Sequence, residues 1–468
     1  MTGRPAHPYR AGVTVGGGGS GAGPHTNPPT ATDDGANPVA ALAGGRWVRW
    51  RPALPVALRQ RQFRLYFVGQ TGSVLGDDMV PVALSFAVLD RFHTASALGT
   101  VLAAETGPLA LTLLAGGVIA DRVSRRWLLL SMDVVRAVVM AIAAVLLFVG
   151  GWQLWQLSVL FAVQGAASGL ASPALIGLVA DTVEPLHRQQ ANSLRGLSTA
   201  LGGVIGPALA GILAGFGSGG LALAVNGGSY VVSAVCMAAM APTPAASEDS
   251  RASYLSELRS GWREFRSRTW VWVCAGQFSL FHMLVYAPVI VLGALVSKRS
   301  LGGATAWGTT LAALGVGALL GALVMLRYHP RRPLLVATAS TIPFAAWALA
   351  LGLIAPEWCQ VVAAAASGMS LGVYGTLWDT ALTTHVPADM LSRVSAYDSF
   401  GSWVLEPVGY ALVGVFVAAL GVRGTLYMAA IVWTVLVAAV LCVPAVTGLR
   451  AVTAGAPTPR AEPAPAGT

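Results

Sequence analysis

Three carboxylates lie where a carboxylate is costly to keep. Asp77 and Asp78 fall near the middle of an apolar run at 66–89, and Glu105 falls inside the next run, at 97–120. If both runs are membrane helices, passing in opposite directions at about 1.5 Å per residue, the three acids reach similar depth. An ionisable group at that depth is a functional candidate by default. A carboxyl held away from water can load and release a proton near neutral pH, so these residues are candidates for proton coupling. The plainer reading of each is a hydrogen bond to a neighbouring helix. Glu406 and His282 lie inside later runs and could face the same space. A lone histidine there is as readily a satisfied packing group.

No catalytic constellation accompanies these acids. There is no G-x-x-x-x-G-K-S/T phosphate loop, no cluster at metal-ligand spacing and no nucleophile–base arrangement, so neither an enzyme nor a cofactor is expected. The four cysteines, Cys236, Cys274, Cys359 and Cys442, all sit in apolar runs and read as small core residues.

The elements that must position these groups follow from composition. Hydrophobic residues make up 55% of the 468 and charged residues only 10%, against about 25% charged in soluble domains. The chain is therefore an integral membrane protein. It has room for about twelve helices of ~20 residues. No alternation at strand length suggests a barrel. The expected spans are 66–89, 97–120, 127–149, 154–181, 197–216 and 220–241, then 270–296, 305–326, 334–354, 358–384, 396–420 and 425–446.

Five segments result. Residues 1–45, rich in Gly, Pro and Thr, should be a disordered tail. Residues 46–241 hold a basic lead-in and six helices; the lead-in, with Trp47 and Trp50 among its arginines, suits an anionic leaflet better than a nucleic acid. Residues 242–269 form a linker in which Tyr254, Leu255, Leu258, Trp262 and Phe265 share one helical face. Residues 270–448 hold six more helices, and 449–468 should be a second disordered tail.

The net charge of +9 is distributed by side. With the N-terminus cytoplasmic, the inner segments hold Arg46 to Arg64, Arg122, Arg125, Arg126, Arg188, Arg195, Arg251 to Arg268, Arg327, Arg331, Arg332 and Arg393. The outer loops hold Arg91, Lys298, Arg299 and Arg423. The positive-inside rule then puts both termini in the cytoplasm.

Between the second and third runs lies Gly117-Val118-Ile119-Ala120-Asp121-Arg122-Val123-Ser124-Arg125-Arg126, a short charged hinge. Gly321 to Arg332 occupies the same place about 200 residues later, with Met325 where the acid would be. Gly206-Pro207 has a counterpart in Glu406-Pro407. Two related six-helix halves around a central path are the plan of parallel-repeat transporters.

The hinge resembles the loop 2–3 signature of the major facilitator superfamily, G-x-x-x-D-R-x-x-R-R, with Ser124 where the family has glycine. That resemblance implies a gating loop of Gly117, Asp121, Arg122, Arg125 and Arg126, which Asp181 at the end of span four could join. Gly202 to Gly211 resembles the family's antiporter element g-x-x-x-G-P-x-x-G-G, carried here by Gly202, Gly206, Pro207 and Gly211. Phe161 to Ala167 resembles the span-four pattern R-x-x-q-G, but the arginine tied in the family to proton transfer is Phe161 here. Asp133 and Arg136, three apart on span three, should pair.

Phe63-Arg64-Leu65-Tyr66, Gly69-Gln70, Leu75-Gly76-Asp77 and Ser96-Ala97-Leu98-Gly99 are similar to the branch of macrolide-efflux and enterobactin-exporter-like proteins. What this implies is an all-α membrane protein with twelve helices in two pseudo-symmetric halves. It would export a small hydrophobic or amphipathic molecule (a drug, antibiotic or siderophore) by proton antiport and alternating access. Its partners would be that substrate, protons and the bilayer, with no nucleic acid, and it should act as a monomer in the bacterial inner membrane. Candidate cavity residues are Phe86, Phe281, His282, Tyr286, Tyr374, Trp378, Trp403 and Glu406. A proton-coupled importer and a non-transporting receptor are the alternatives.

Overall fold

The computed structural model describes residues 56–215, 219–241, 254–387 and 390–451, with most of their side chains. The tail at 1–45, the lead-in up to residue 55, linker residues 242–253 and the tail from 452 onward lie outside the described residues. Among those described, every regular element is helical.

Spans one to six are Arg61–Phe92, Ala95–Arg122, Arg125–Val149, Leu154–Thr182, Arg188–Gly215 and Gly219–Ala238. Spans seven to ten are Thr269–Leu301, Gly303–Met325, Pro333–Gly352 and Glu357–His385. Spans eleven and twelve run through Leu391–Trp403 and Glu406–Leu441, parted at Gly421, whose φ of 71° only glycine adopts freely. Span five begins nine residues before the expected 197. Its first turns are polar but rich in helix formers, so the helix extends beyond the apolar layer.

Spans that break do so beside a proline, although Pro108, Pro173 and Pro207 lie inside continuous helices. Pro81 has no N–H for the carbonyl of Asp77, and span one stops at Asp77 and restarts at Val80. Pro407 likewise cannot serve Trp403, and span eleven stops there and restarts at Glu406. Pro288 follows a π-helical turn at His282–Tyr286 in span seven. Span nine is also interrupted, between Ser340 and Pro343, while the breaks in spans one, seven and eleven fall at Asp77, His282 and Glu406.

Packing repeats between the halves. Span two lies along four, three along six and one along five; in the second half eight lies along ten, nine along twelve and seven along eleven. The halves meet through two symmetric pairs, span five with span eight and span two with span eleven. Glycine allows backbone contact there. A Cβ on Gly315 would sit 2.3 Å from the carbonyl oxygen of Gly203, and one on Gly99 would sit 2.3 Å from that of Tyr410.

The linker helix is Tyr254–Ser267. Its Phe265 is buried, and Gly261 rests on Arg393 and Tyr397 of span eleven. The Trp262 ring lies 5.5 Å from Tyr397 and 5.6 Å from Phe265.

Candidate functional site

The break in span one puts Asp77 at the hub of a polar network inside the first half. Tyr230 of span six donates its hydroxyl hydrogen to Asp77 Oδ1, and Asn226 Nδ2 lies 3.4 Å from the same oxygen. Arg136 Nη1 lies 3.9 Å from Asp77 Oδ2. The Arg136 guanidinium is anchored by Asp133 three residues earlier, Nη2 to Oδ1 at 2.7 Å. Ser233 donates to the other oxygen of Asp133 at 2.6 Å. Arg136 Nη1 also donates to the Tyr230 hydroxyl at 3.3 Å, as does Gln164 Nε2 of span four at 2.8 Å. Asp133 is fully buried, so its pairing is what permits its charge there. The Asp77 side chain is 43% exposed, which requires an opening at mid-bundle.

Asp78 faces the other way, onto span five. A Cβ on Gly202 would sit 2.5 Å from Asp78 Oδ2, and one on Gly206 would sit 2.6 Å from Asp78 Cβ. These two glycines of the antiporter-like element therefore make the bed for the span-one break. The other side of the same element meets span eight: a Cβ on Gly308 would lie 2.5 Å from the Pro207 carbonyl oxygen, and one on Gly211 3.0 Å from that of Ala304. A single glycine-rich helix thus holds the broken span and also forms the seam between halves.

Glu105 is fixed by close backbone packing, since a Cβ on Gly165 of span four would meet its carbonyl oxygen at 1.9 Å. Its carboxyl is within electrostatic reach of Asp77 and of Glu406 across the seam. Tyr410 is within electrostatic reach of Glu406, and Tyr286 lies within reach of both Glu406 and Asp78. Four acids, three from the first half and one from the second, thus converge where spans one and eleven are broken. The one guanidinium beside them, Arg136, is already held by Asp133.

The site is closed toward the loops that carry few arginines. Span-one residues 82–86, 88 and 89 and all of Ala287–Val296 in span seven are buried. Lys298, the only lysine of the chain, crosses there between the halves: Nζ lies 2.7 Å from Asp90 Oδ1 and donates to the Leu89 carbonyl at 2.6 Å. The opening onto Asp77 therefore runs toward the arginine-rich face.

The remaining sequence candidates are spread more widely. Phe86 and Phe281 pack in the core, 5% and 2% exposed. His282 Nδ1 lies 2.8 Å from the Phe278 carbonyl and 3.0 Å from that of Ser402. Both are acceptors, so Nδ1 carries the hydrogen, and the ring packs 4.1 Å from Trp403. Trp403 is half exposed. Tyr374 packs 4.4 Å from Phe278, and Trp378 donates to Asp398 Oδ2 at 2.8 Å.

At the hinge, Arg125 binds both oxygens of Asp181, at 2.9 and 3.0 Å, in space left by Gly177. Arg126 is buried and caps the C-terminal end of span six through the carbonyls of Met237 and Ala238, at 2.8 and 2.6 Å. The backbone of Gly117, Asp121 and Arg122 is helical, but their side chains lie outside the described residues.

Sequence reasoning missed Tyr230, Asn226 and Tyr410, and met Gln164 only as the q of the span-four pattern. The first two had a signal: Asn226, Tyr230 and Ser233 recur at helical spacing on one face of an apolar run.

The family model described as Major Facilitator Superfamily matches residues 66–406. The enterobactin exporter EntS of Salmonella paratyphi A is 26% identical over 401 residues, covering 78% of this chain and 88% of that protein. The multidrug efflux pump Tap of Mycolicibacterium fortuitum is 24% identical over 378 residues, covering 75% and 88%. Among solved structures, the nucleoside transporter NupG superposes with a TM-score of 0.64 at 12% identity, covering 82% of this chain and 98% of that one. A bacterial homologue of the human lysosomal transporter Spinster, in an inward-facing and unoccupied conformation, gives 0.61 at 16% identity, covering 82% and 96%. With its two six-helix halves, its paired seams and this match over most of its length, the chain belongs to the Major Facilitator Superfamily.

Proposed function

We propose that this protein is a secondary active transporter that exports a small hydrophobic or amphipathic molecule across the bacterial inner membrane. It exchanges that molecule for protons by alternating access, with both termini and the arginine-rich face in the cytoplasm. The observation that carries the reading is the convergence of Asp77, Asp78, Glu105 and Glu406 at the two broken spans, open on one face and closed on the other. Carboxylates crowded in a partly dry site bind protons in competition with substrate, and a site open to one side at a time makes that competition vectorial. The similar proteins are an exporter and an efflux pump, which favours the outward direction. Closure at the arginine-poor loops supports reading this as an inward-open state.

The test is accumulation of ethidium in inverted membrane vesicles under an imposed pH gradient. Wild-type protein should accumulate dye, a protonophore should abolish it, and Asp77→Asn, Asp78→Asn or Glu105→Gln should remove it at equal protein level. Accumulation that ignores the protonophore, or that survives in all three variants, would overturn proton antiport through these acids. Accumulation in right-side-out vesicles alone would reverse the direction.

A further inference from the structure

Gln164 is buried, 3% exposed. Its Nε2 donates to the Tyr230 hydroxyl, while its Oε1 has no hydrogen-bond partner. An orphaned buried amide oxygen is costly, which calls for an explanation.

The hydroxyl of Tyr230 has three polar neighbours. Arg136 can only donate, and it does so at 3.3 Å. Gln164 Nε2 donates as well, so both lone pairs are filled and the hydroxyl hydrogen is left for Asp77. This set serves a deprotonated Asp77. A proton on Asp77 Oδ1, the oxygen that Tyr230 serves, reverses the demand, because that oxygen becomes a donor and Tyr230 then accepts from it. The tyrosine hydrogen then needs a new acceptor. The buried acceptor at hand is Gln164 Oε1, once the amide turns over.

We propose that Tyr230 and Gln164 are a two-way hydrogen-bond relay that turns over when Asp77 takes up a proton on Oδ1, carrying the protonation state of span one into span four. No covalent bond of Tyr230 breaks. Asp77 keeps the incoming proton, Tyr230 keeps its own, and the Gln164 amide rotates by half a turn. The inference rests on the reading of Asp77 as a proton-loading acid.

The charged and titratable groups around Asp77 are Asp78 on its own span, Glu105 of span two, Asp133 and Arg136 of span three and Tyr230 of span six, with Glu406 of span eleven beyond Glu105. Span five presents glycines. Span four presents only the neutral Gln164, so a turned amide is how that span registers the proton. The next residue, Gly165, rests on the backbone of Glu105, and span two forms the seam with span eleven. The relay therefore ends against a helix that must move in alternating access. Gln164 and Tyr230 act here as positioning residues.

The test needs no substrate. Full-length protein in lipid vesicles, labelled with 13C in the glutamine side-chain carbonyl, is followed by infrared difference spectroscopy through a pH titration. A protonated-carboxyl band should be lost in Asp77→Asn. A glutamine carbonyl band should shift with the same midpoint and be lost in Gln164→Leu, or in Gln164→Met if the leucine variant misfolds. In Tyr230→Phe the carboxyl band should still titrate while the glutamine band stands still. A glutamine band that stays fixed as Asp77 titrates, or still shifts without the Tyr230 hydroxyl, overturns the relay and leaves proton loading intact. A carboxyl titration unchanged by Asp77→Asn overturns the reading beneath it as well.

Discussion

Two glycines on span eight, two positions apart, should give opposite phenotypes when changed to alanine. A Cβ on Gly315 would lie 2.3 Å from the Gly203 carbonyl oxygen, 2.6 Å from the Gly203 carbonyl carbon and 3.0 Å from Val204 N, all backbone of the other half. A Cβ on Gly317 would lie 1.9 Å from the Ala365 carbonyl oxygen, on span ten of the same half. Backbone cannot turn aside, so each alanine forces helices apart at about 1–3 kcal/mol. Both variants gain up to about 1 kcal/mol of helix propensity, equally in every conformation that keeps span eight helical. The Gly317 clash is present however the halves are disposed. The Gly315 clash exists only while spans five and eight touch at this height. Gly315→Ala should therefore move the ratio of the two access states by roughly 5–150-fold, and Gly317→Ala should leave it unchanged while lowering thermal stability. Spin labels at Arg91→Cys and Arg299→Cys, both exposed at the arginine-poor face, report the ratio as two distances once Cys236, Cys274, Cys359 and Cys442 are replaced. An unchanged distance distribution in folded Gly315→Ala, or an equal shift in Gly317→Ala, would refute the reasoning.

Three further outcomes follow from single contacts. Lys298→Ala removes the cross-half ion pair to Asp90, whose side chain is 66% exposed. Such a pair contributes about 0.2–1 kcal/mol, so the same labels should show a shift of no more than about fivefold toward the opened state, reversed when Lys298→Asp is combined with Asp90→Lys. Asp133→Asn leaves the Arg136 guanidinium buried without its anchor and should lose about 3–5 kcal/mol, read as a lowered thermal midpoint; a midpoint equal to wild type would show that Arg136 finds another partner. Trp378→Phe removes the indole donor from the buried Asp398 carboxylate, at a cost of about 1–3 kcal/mol in the same assay; no loss of stability would mean that Asp398 is satisfied without it.

The architecture was legible from residue types. Apolar runs separated by arginine clusters located the spans, because burying a charge in hydrocarbon is expensive at any position along the chain. Two features misled. The polar start of span five, 188 to 196, was not distinguished from loop, because hydropathy detects the bilayer and not the helix. The Gly421 turn was placed near the right residues but is far tighter than the expected gap from 420 to 425, since one residue with positive φ reverses the chain.

The site was legible only in part. Asp77, Asp78 and Glu105 were singled out by the cost of keeping them, and Asp133 with Arg136 by their spacing on one helix. Tyr230 and Asn226 are neutral, carry little hydropathy penalty, and so raise no comparable signal; Gln164 is equally neutral and stood out only through its place in the span-four pattern.

By itself the sequence determined how many helices cross the membrane and which acids stay inside at a cost. These are local properties, set by the transfer energy and backbone chemistry of each residue. Only the tertiary structure decided that Asp77 and Asp78, adjacent in the chain, face different neighbours, one toward Tyr230 and Arg136 and the other toward Gly202 and Gly206. It alone decided that Glu406 of the second half meets the acids of the first, and that Lys298 closes one end. Those contacts join residues that no periodicity links, because the packing of one half against the other is set by the shape of whole helix faces.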